Sequence, residues 1–459
     1  MLVGFSISNY KSFKNEQNFS MVASKIARHK EHAITKGARK LLKSALVFGA
    51  NAGGKSNFVK AVHFSKNVIL NGLDHVSVDK KYFRIDGEMY SKPGIFEYRM
   101  IINETEYCYG FALSYNMKEI LAEWLTKIGT KGEEIYIFNR EVDENGIYHV
   151  ETEIEYENPD ENARMNIYLE DFGEGISDAL KRKTILSDIA ARVNDKNKAF
   201  RDIMDVYEWF QNIVVIFPTS KYAALNDVVS DDELKKFFGS VMSFFDTGIE
   251  DIEGQEQEMD FDKVLQNVSK EEADKIKIGI SNDIKNEPIM LRINQKIYVL
   301  RKGENGNIVY YKMLLNHGNH DDLFEYLDES DGTRRLFDLI PVLFLNRRKS
   351  VIFIDEIDRS LHTNLTKRFL QMFYQSLSDN SCQLIVTTHD SNLLDLELLR
   401  QDEIWFVERK DDHSSELYSL SRYKERFDKK IEKEYLIGRY GAIPIFDESL
   451  LSAEVFDEK

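Results

Sequence analysis

The sequence predicts an α/β fold: a mixed β-sheet joined to an antiparallel β-lobe, with a mainly helical insertion. Three observations predict it. A glycine-rich octet, GANAGGKS at 49–56, stands between an apolar run and a helically spaced segment. Strand-like and helix-like runs alternate through the last part of the chain, from SVIFIDEID to DEIWFVER. A β-rich stretch with hairpin breaks fills 81–150, and helical spacing follows it.

Size and charge set the outer limits. A chain of 459 residues is too long for one ordinary core, so two or more units are expected. The net charge of −17 disfavours non-specific coating of nucleic acid and leaves room only for a local basic patch. The two cysteines, Cys108 and Cys382, are far apart and form no CxxC, which fits a reducing, cytoplasmic setting rather than a disulfide scaffold. No run of about 18 apolar residues occurs, so neither a signal peptide nor a membrane span is expected.

Taken in order, LVGFSISNY at the start alternates as a strand does. KSALVFGA is a short apolar run that reads as a buried strand ending at Gly49. KSNFVKAVHFSKNVIL then takes up helical spacing through Phe58, Val59, Val62 and Ile69. GIFEYRMIINETEYCYGFALSY holds two period-2 runs around Asn103–Thr105, which predicts a hairpin. The acidic stretch ETEIEYENPDEN at 151–162 reads as a boundary or connector. Helical spacing returns at 175–245 through Phe200, Ile203, Tyr207 and Phe210, and strand-like runs return at 274–313. In the last part, SVIFIDEID, NLTKRFLQMFYQSL, QLIVTTHD and DEIWFVER alternate strand and helix, which implies a parallel sheet with crossover helices. Three regions are therefore expected: 1–150 with the octet and the β-lobe, a mainly helical insertion at 151–294, and 295–459 completing the sheet.

The octet matches G-x-x-x-x-G-K-[ST] through Gly49, Gly54, Lys55 and Ser56. Glycines let successive N–H groups face a phosphate chain, and Gly53 adds to that freedom. Lys55 would neutralise the outer phosphates, Ser56 would join a Mg²⁺ shell, and the helix N-terminus favours the anion. A plain glycine-rich turn would explain the glycines; the strand before and the helix after favour the phosphate loop. In SVIFIDEID, Asp355 ends an apolar strand and can hold Mg²⁺, and Glu356 can orient or deprotonate a water. His389, after the next strand, could bond a γ-phosphate, although a lone histidine is more often structural. DESDGTRRL at 328–336 places Ser330 and Gly332 at a helix start, a second anion site or an ordinary serine cap.

In that order these motifs resemble an ABC-type ATPase head of the SMC, Rad50 and RecF group. FSISNYKSFKN is similar to the first strand of that group. Its form of the phosphate loop, GxNxxGKSN, is matched by Gly49, Asn51, Gly54, Lys55, Ser56 and Asn57. DESDGTRRLFDLIP, IDEIDRSLHTNL, DEIWFVE and YLIGRYGAIP look like the RloA or AbiL type of AAA-family ATPase from abortive-infection loci. The resemblance runs from residue 2 to about 445 and implies ATP and Mg²⁺ as ligands.

It also implies a homodimer, or a higher assembly of such dimers, with two ATPs sandwiched between phosphate loop and partner signature. Ser330 and Gly332 would then face the γ-phosphate held by the other copy, and Asp358 would lie in the loop that reads across the dimer. The signature here is ESDGTR rather than LSGGQ. No Toprim-like Glu and DxD set is seen, so the resemblance points to a separately encoded effector, an RloB-like or Toprim-type nuclease, and to a phage-derived trigger. Direct contact with DNA or RNA stays open: residues 25–43 concentrate Lys25, Arg28, Lys30, Lys36, Arg39, Lys40 and Lys43, which reads more simply as a solvated face. The rival reading is a RecF- or Rad50-like repair ATPase that binds DNA itself, and the acidic balance counts against it.

Overall fold

The computed structural model describes residues 1–129, 132–193, 200–218, 232–261, 265, 269–270, 273–274, 289–293, 296–302, 307–345, 350–376, 382–423, 425–426 and 429–444. They fall into two compact units. One comprises 1–218, 346–358 and 366–459, the other 219–345 and 359–365.

The first unit carries two sheets. The seven-stranded sheet runs Tyr148–Glu151, Glu134–Val142, Glu119–Ile128, Thr105–Ser114, Gly94–Ile102, Leu2–Ser8 and Gln17–Ser20, with every neighbour antiparallel. The hairpin expected at Asn103–Thr105 is there. Asn103 and Glu104 both take positive φ, 48° and 69°, the twist that a two-residue hairpin turn needs. The six-stranded sheet runs Ile213–Ile216, Val351–Ile354, Gln383–Thr387, Ser44–Phe48, Ile404–Arg409 and Ser415–Ser419. Its first five strands are parallel and the last is antiparallel. Fully buried apolar runs such as SALVF and VIFI suit strands covered on both faces.

The helix Lys55–Asn71 packs between the two sheets. It buries residues on several sides, including Phe58, Val59, Ala61, Val62, Phe64, Val68 and Ile69. Phe58 meets Phe5 and Phe19 of the antiparallel sheet at 6.0 and 5.1 Å, and Phe353 of the parallel sheet at 6.2 Å. One hydrophobic cluster therefore ties both sheets to the helix that follows the octet.

The two units divide the chain differently from the three expected regions. Pro159–Glu170, Asp178–Lys181, Ile185–Arg192 and Arg201–Gln211 belong to the first unit, and Ile213–Ile216 is the edge strand of its parallel sheet. The apolar run IVVI is too short to stand out from the helical spacing on either side. In the second unit the strands Asp251–Glu258, Ile308–Asn316, Lys296–Lys302 and Ile289–Ile293 form an antiparallel sheet, with Phe324–Glu325 added beside Ile308–Asn316. Residues 295–345 cluster here rather than with the parallel sheet. Among the described residues no helix is long and apolar enough to cross a membrane.

Candidate active site

Parallel strands deliver their loops to one edge of a sheet. Ser44–Phe48 lies beside Gln383–Thr387, which lies beside Val351–Ile354. The octet, Thr388–His389 and Asp355–Glu356 therefore all emerge at the same carboxyl edge. Sequence spacing alone could not place 49–56 next to 355, three hundred residues away.

The octet is built against the neighbouring hairpin. A Cβ at Gly49 would lie 2.3 Å from the Val407 carbonyl oxygen, and one at Gly53 would lie 2.9 Å from the same atom. Gly54 has φ 121°, and a Cβ there would meet Ser415 Oγ at 2.3 Å. The Ser415 hydroxyl donates to Gly53 O at 2.6 Å, and Asn57 Nδ2 donates to Ser12 Oγ at 2.8 Å. Asn51 and Ala52 form the exposed apex, with Ala52 in the left-handed region at φ 62°. The loop's shape is thus set by backbone and hydroxyl contacts that exclude side chains at three positions.

Lys55 and Ser56 open the helix. Lys55 is buried, and its Nζ donates to Gly49 O at 2.5 Å and Ala50 O at 3.0 Å. Burial pulls its ammonium below the usual lysine range, against the opposing pull of Asp358, Asp355 and Glu356. Ser56 Oγ donates to Asp355 Oδ1 at 3.1 Å, and Thr387 Oγ1 donates to the same oxygen at 2.7 Å. A hydroxyl and a carboxylate meeting at this sheet edge are the hard oxygen donors that Mg²⁺ takes, so these residues fit that ion.

Glu356 follows directly. It sits at φ 49°, outside the strand geometry, with its N–H bonded to Thr387 Oγ1 at 2.9 Å. A left-handed conformation in a non-glycine residue costs free energy of order 1–3 kcal/mol and is held only where neighbours over-determine it. Here Thr387 and the Ile357 N–H to Thr387 O bond of 3.0 Å supply that support. His389, half exposed, has Nε2 at 3.3 Å from Asp358 Oδ2. The structure thus brings together Gly49, Gly53, Gly54, Lys55, Ser56, Asp355, Glu356 and, beside Asp358, His389.

Ser330 and Gly332 belong to the second unit. Ser330 caps the helix Asp331–Leu339, its Oγ accepting the Thr333 N–H at 3.1 Å. A Cβ at Gly332 would lie 2.9 Å from Ser360 O. Two contributors were not identified from sequence. Thr387 bridges Asp355 and Glu356, and Ser415 holds the octet from a strand 362 residues on. The only available signal for Thr387 was a polar residue ending a buried apolar strand next to the acid-tipped one.

The basic segment at 25–43 is partly neutralised by neighbouring acids. Arg39 pairs with Glu106 at 2.6 Å, Lys36 with Glu104 at 3.8 Å, and Lys43 is buried.

Compared with known proteins, the chain is similar to the SMC head domain from Thermotoga maritima, at 13% identity and a TM-score of 0.38, covering 91% of this chain and 98% of that one. It is also similar to the SMC head bound to the C-winged helix domain of ScpA, at 15% identity and a TM-score of 0.40, covering 92% and 99%. No curated protein matches the sequence. A family model described as "AAA domain, putative AbiEii toxin, Type IV TA system" matches residues 44–395, from the strand before the octet past His389, and the chain belongs to that family.

Proposed function

We propose that the chain binds and hydrolyses ATP and uses the cycle to regulate a separately encoded effector in bacterial anti-phage defence. The observation that carries the ATPase reading is the Ser56–Asp355–Thr387 cluster, with Lys55 buried in the field of Asp355, Glu356 and Asp358 at the same sheet edge. The family's type IV toxin–antitoxin description supports the defence reading.

Amides of the octet and the helix N-terminus cradle the phosphates, with Asn51 and Asn57 flanking the loop. Lys55 Nζ leaves its loop carbonyls for the β- and γ-phosphate oxygens. Ser56 Oγ and Asp355 would hold Mg²⁺, which would supply positive charge to offset that of the phosphates. Glu356 accepts a proton from the attacking water as its oxygen bonds to the γ-phosphorus. The bond to the β–γ bridging oxygen breaks, and ADP and phosphate leave. His389, held by Asp358, donates to the γ-phosphate. Ser330 and Gly332, at an exposed capped helix N-terminus, close the site from a second copy.

Glu356→Gln tests the site. It should leave nucleotide affinity within about twofold and lower turnover by roughly 10² or more, the usual weight of a general base. Full turnover in that variant would remove Glu356 from the mechanism. The regulatory half is tested by phage challenge of cells carrying the native locus. Lys55→Ala should abolish protection, and undiminished protection would separate defence from nucleotide binding.

A further inference from the structure

We propose that His29, Glu31 and His32 form a binding site for one zinc-class divalent cation, placed at the foot of the phosphate-loop strand. In the sequence, residues 25–43 stand out only as a basic stretch. In the fold, the short turn Lys30–His32 brings one ligand atom from each of the three residues within 4.8 Å of the others. His29 Nδ1 lies 3.5 Å from Glu31 Oε1, and His32 Nε2 lies 3.8 Å from the same oxygen. A charge-assisted hydrogen bond would close to about 2.7–2.9 Å. Bonds of about 2.0–2.1 Å to a tetrahedral ion put neighbouring ligand atoms roughly 3.3 Å apart, so small side-chain movements complete the set.

The far sides of both rings decide which nitrogens are free to ligate. His29 Nε2 is 3.1 Å from Leu396 O, and a carbonyl only accepts, so that nitrogen carries the hydrogen. His32 Nδ1 is 3.0 Å from Glu403 Oε2, a fully buried carboxylate, so that nitrogen carries it too. In the neutral rings the lone pairs are then on His29 Nδ1 and His32 Nε2, the two atoms that face Glu31. A ligating histidine whose other nitrogen donates to a carboxylate or a backbone carbonyl is the usual outer arrangement of a metal site.

That outer arrangement is itself held firmly. Glu403 accepts from Arg400 N at 2.7 Å and from Ser44 Oγ at 2.6 Å. The His32 ring stacks on Tyr374 at 3.6 Å and 9°. The buried Arg400 guanidinium donates to the carbonyls of Ser24 and Arg28 at 3.1 and 3.0 Å, and to His29 O at 3.4 Å. These bonds hold His29 in the left-handed region at φ 48°, aimed at Glu31. Two imidazoles and one carboxylate suit zinc and its borderline neighbours rather than Mg²⁺ or Ca²⁺. Glu31 is 65% exposed, so a fourth position is open to water. Because Ser44 begins the strand that leads to the octet and shares Glu403 with His32, the ion clips the 24–32 segment to the base of the parallel sheet.

The test uses the full chain, stripped with a chelator and desalted. Zinc is titrated against a competing fluorescent chelator, and Co²⁺ serves as a visible reporter. Wild type should take up one Zn²⁺ per chain and give the intense absorption bands of tetrahedral Co²⁺. Glu31→Gln, at an exposed position, and His29→Asn, which tolerates the left-handed backbone, should each weaken binding by at least about tenfold. Circular dichroism confirms that both variants stay folded. No stoichiometric zinc on wild type, or equal binding by either folded variant, would overturn the assignment.

Discussion

Replacing Thr387 by valine keeps the side chain's shape and removes one hydroxyl, which makes it a sharp probe of the acid edge. That hydroxyl donates to Asp355 Oδ1 at 2.7 Å and accepts the Glu356 N–H at 2.9 Å, with Thr387 fully buried and Asp355 nearly so. A hydrogen bond to a charged group contributes about 1.5–3 kcal/mol, and a buried donor left without a partner costs about 1–3 kcal/mol. The two losses share one atom and will not simply add, so a net loss of about 3 kcal/mol is expected. Thr387→Ser keeps the hydroxyl and loses one buried methyl, at about 1 kcal/mol. All three tryptophans, Trp124, Trp209 and Trp405, lie in the first unit, so urea unfolding followed by their fluorescence reports that unit. Thr387→Val within about 0.5 kcal/mol of wild type, or Thr387→Ser as costly as Thr387→Val, would refute the bridging role.

The octet gives a second test. Gly54→Ala places a Cβ 2.3 Å from Ser415 Oγ at φ 121°, and a loss of about 2–4 kcal/mol should appear as a lower melting temperature. Glu123 and Arg140 form a fully buried pair at 3.1 Å, and Glu123 also accepts the Ile185 and Leu186 amides at 2.7 and 3.1 Å. Glu123→Ala should therefore cost about 3–5 kcal/mol in urea unfolding, and adding Arg140→Met should recover only part of it, because the Ile185 and Leu186 amides stay unpaired. Burial pushes the thiols of Cys108 and Cys382 up to about 12. Both should resist iodoacetamide at pH 8 in the folded chain and react once urea unfolds it, which mass spectrometry reads directly.

Much of the candidate site was legible because its chemistry depends on local residue types. GANAGGKS between SALVF and a helically spaced run specifies a strand, a tight loop and a helix within some thirty residues. VIFI and QLIVT announce themselves as buried strands by unbroken apolar runs, and Ser330 announces a helix start by its capping chemistry. The partners of those elements were not legible. Ile213–Ile216 joins the parallel sheet beside Val351–Ile354, and nothing within IVVI distinguishes an edge strand from a break between helices. Ser415 at the octet, Thr387 between Asp355 and Glu356, and Glu403 behind His32 are each ordinary polar residues in sequence.

The residue order by itself determined the loop, the buried strands, the helix that follows them and the acid pair, since these follow from backbone freedom, hydrophobic period and charge over short spans. Tertiary structure alone decided which strand lies beside which, and so which hydroxyl meets which carboxylate. The physical reason is that strand pairing is a long-range choice: backbone hydrogen bonds are the same for any pair of strands, and only the packing of the whole core selects among them.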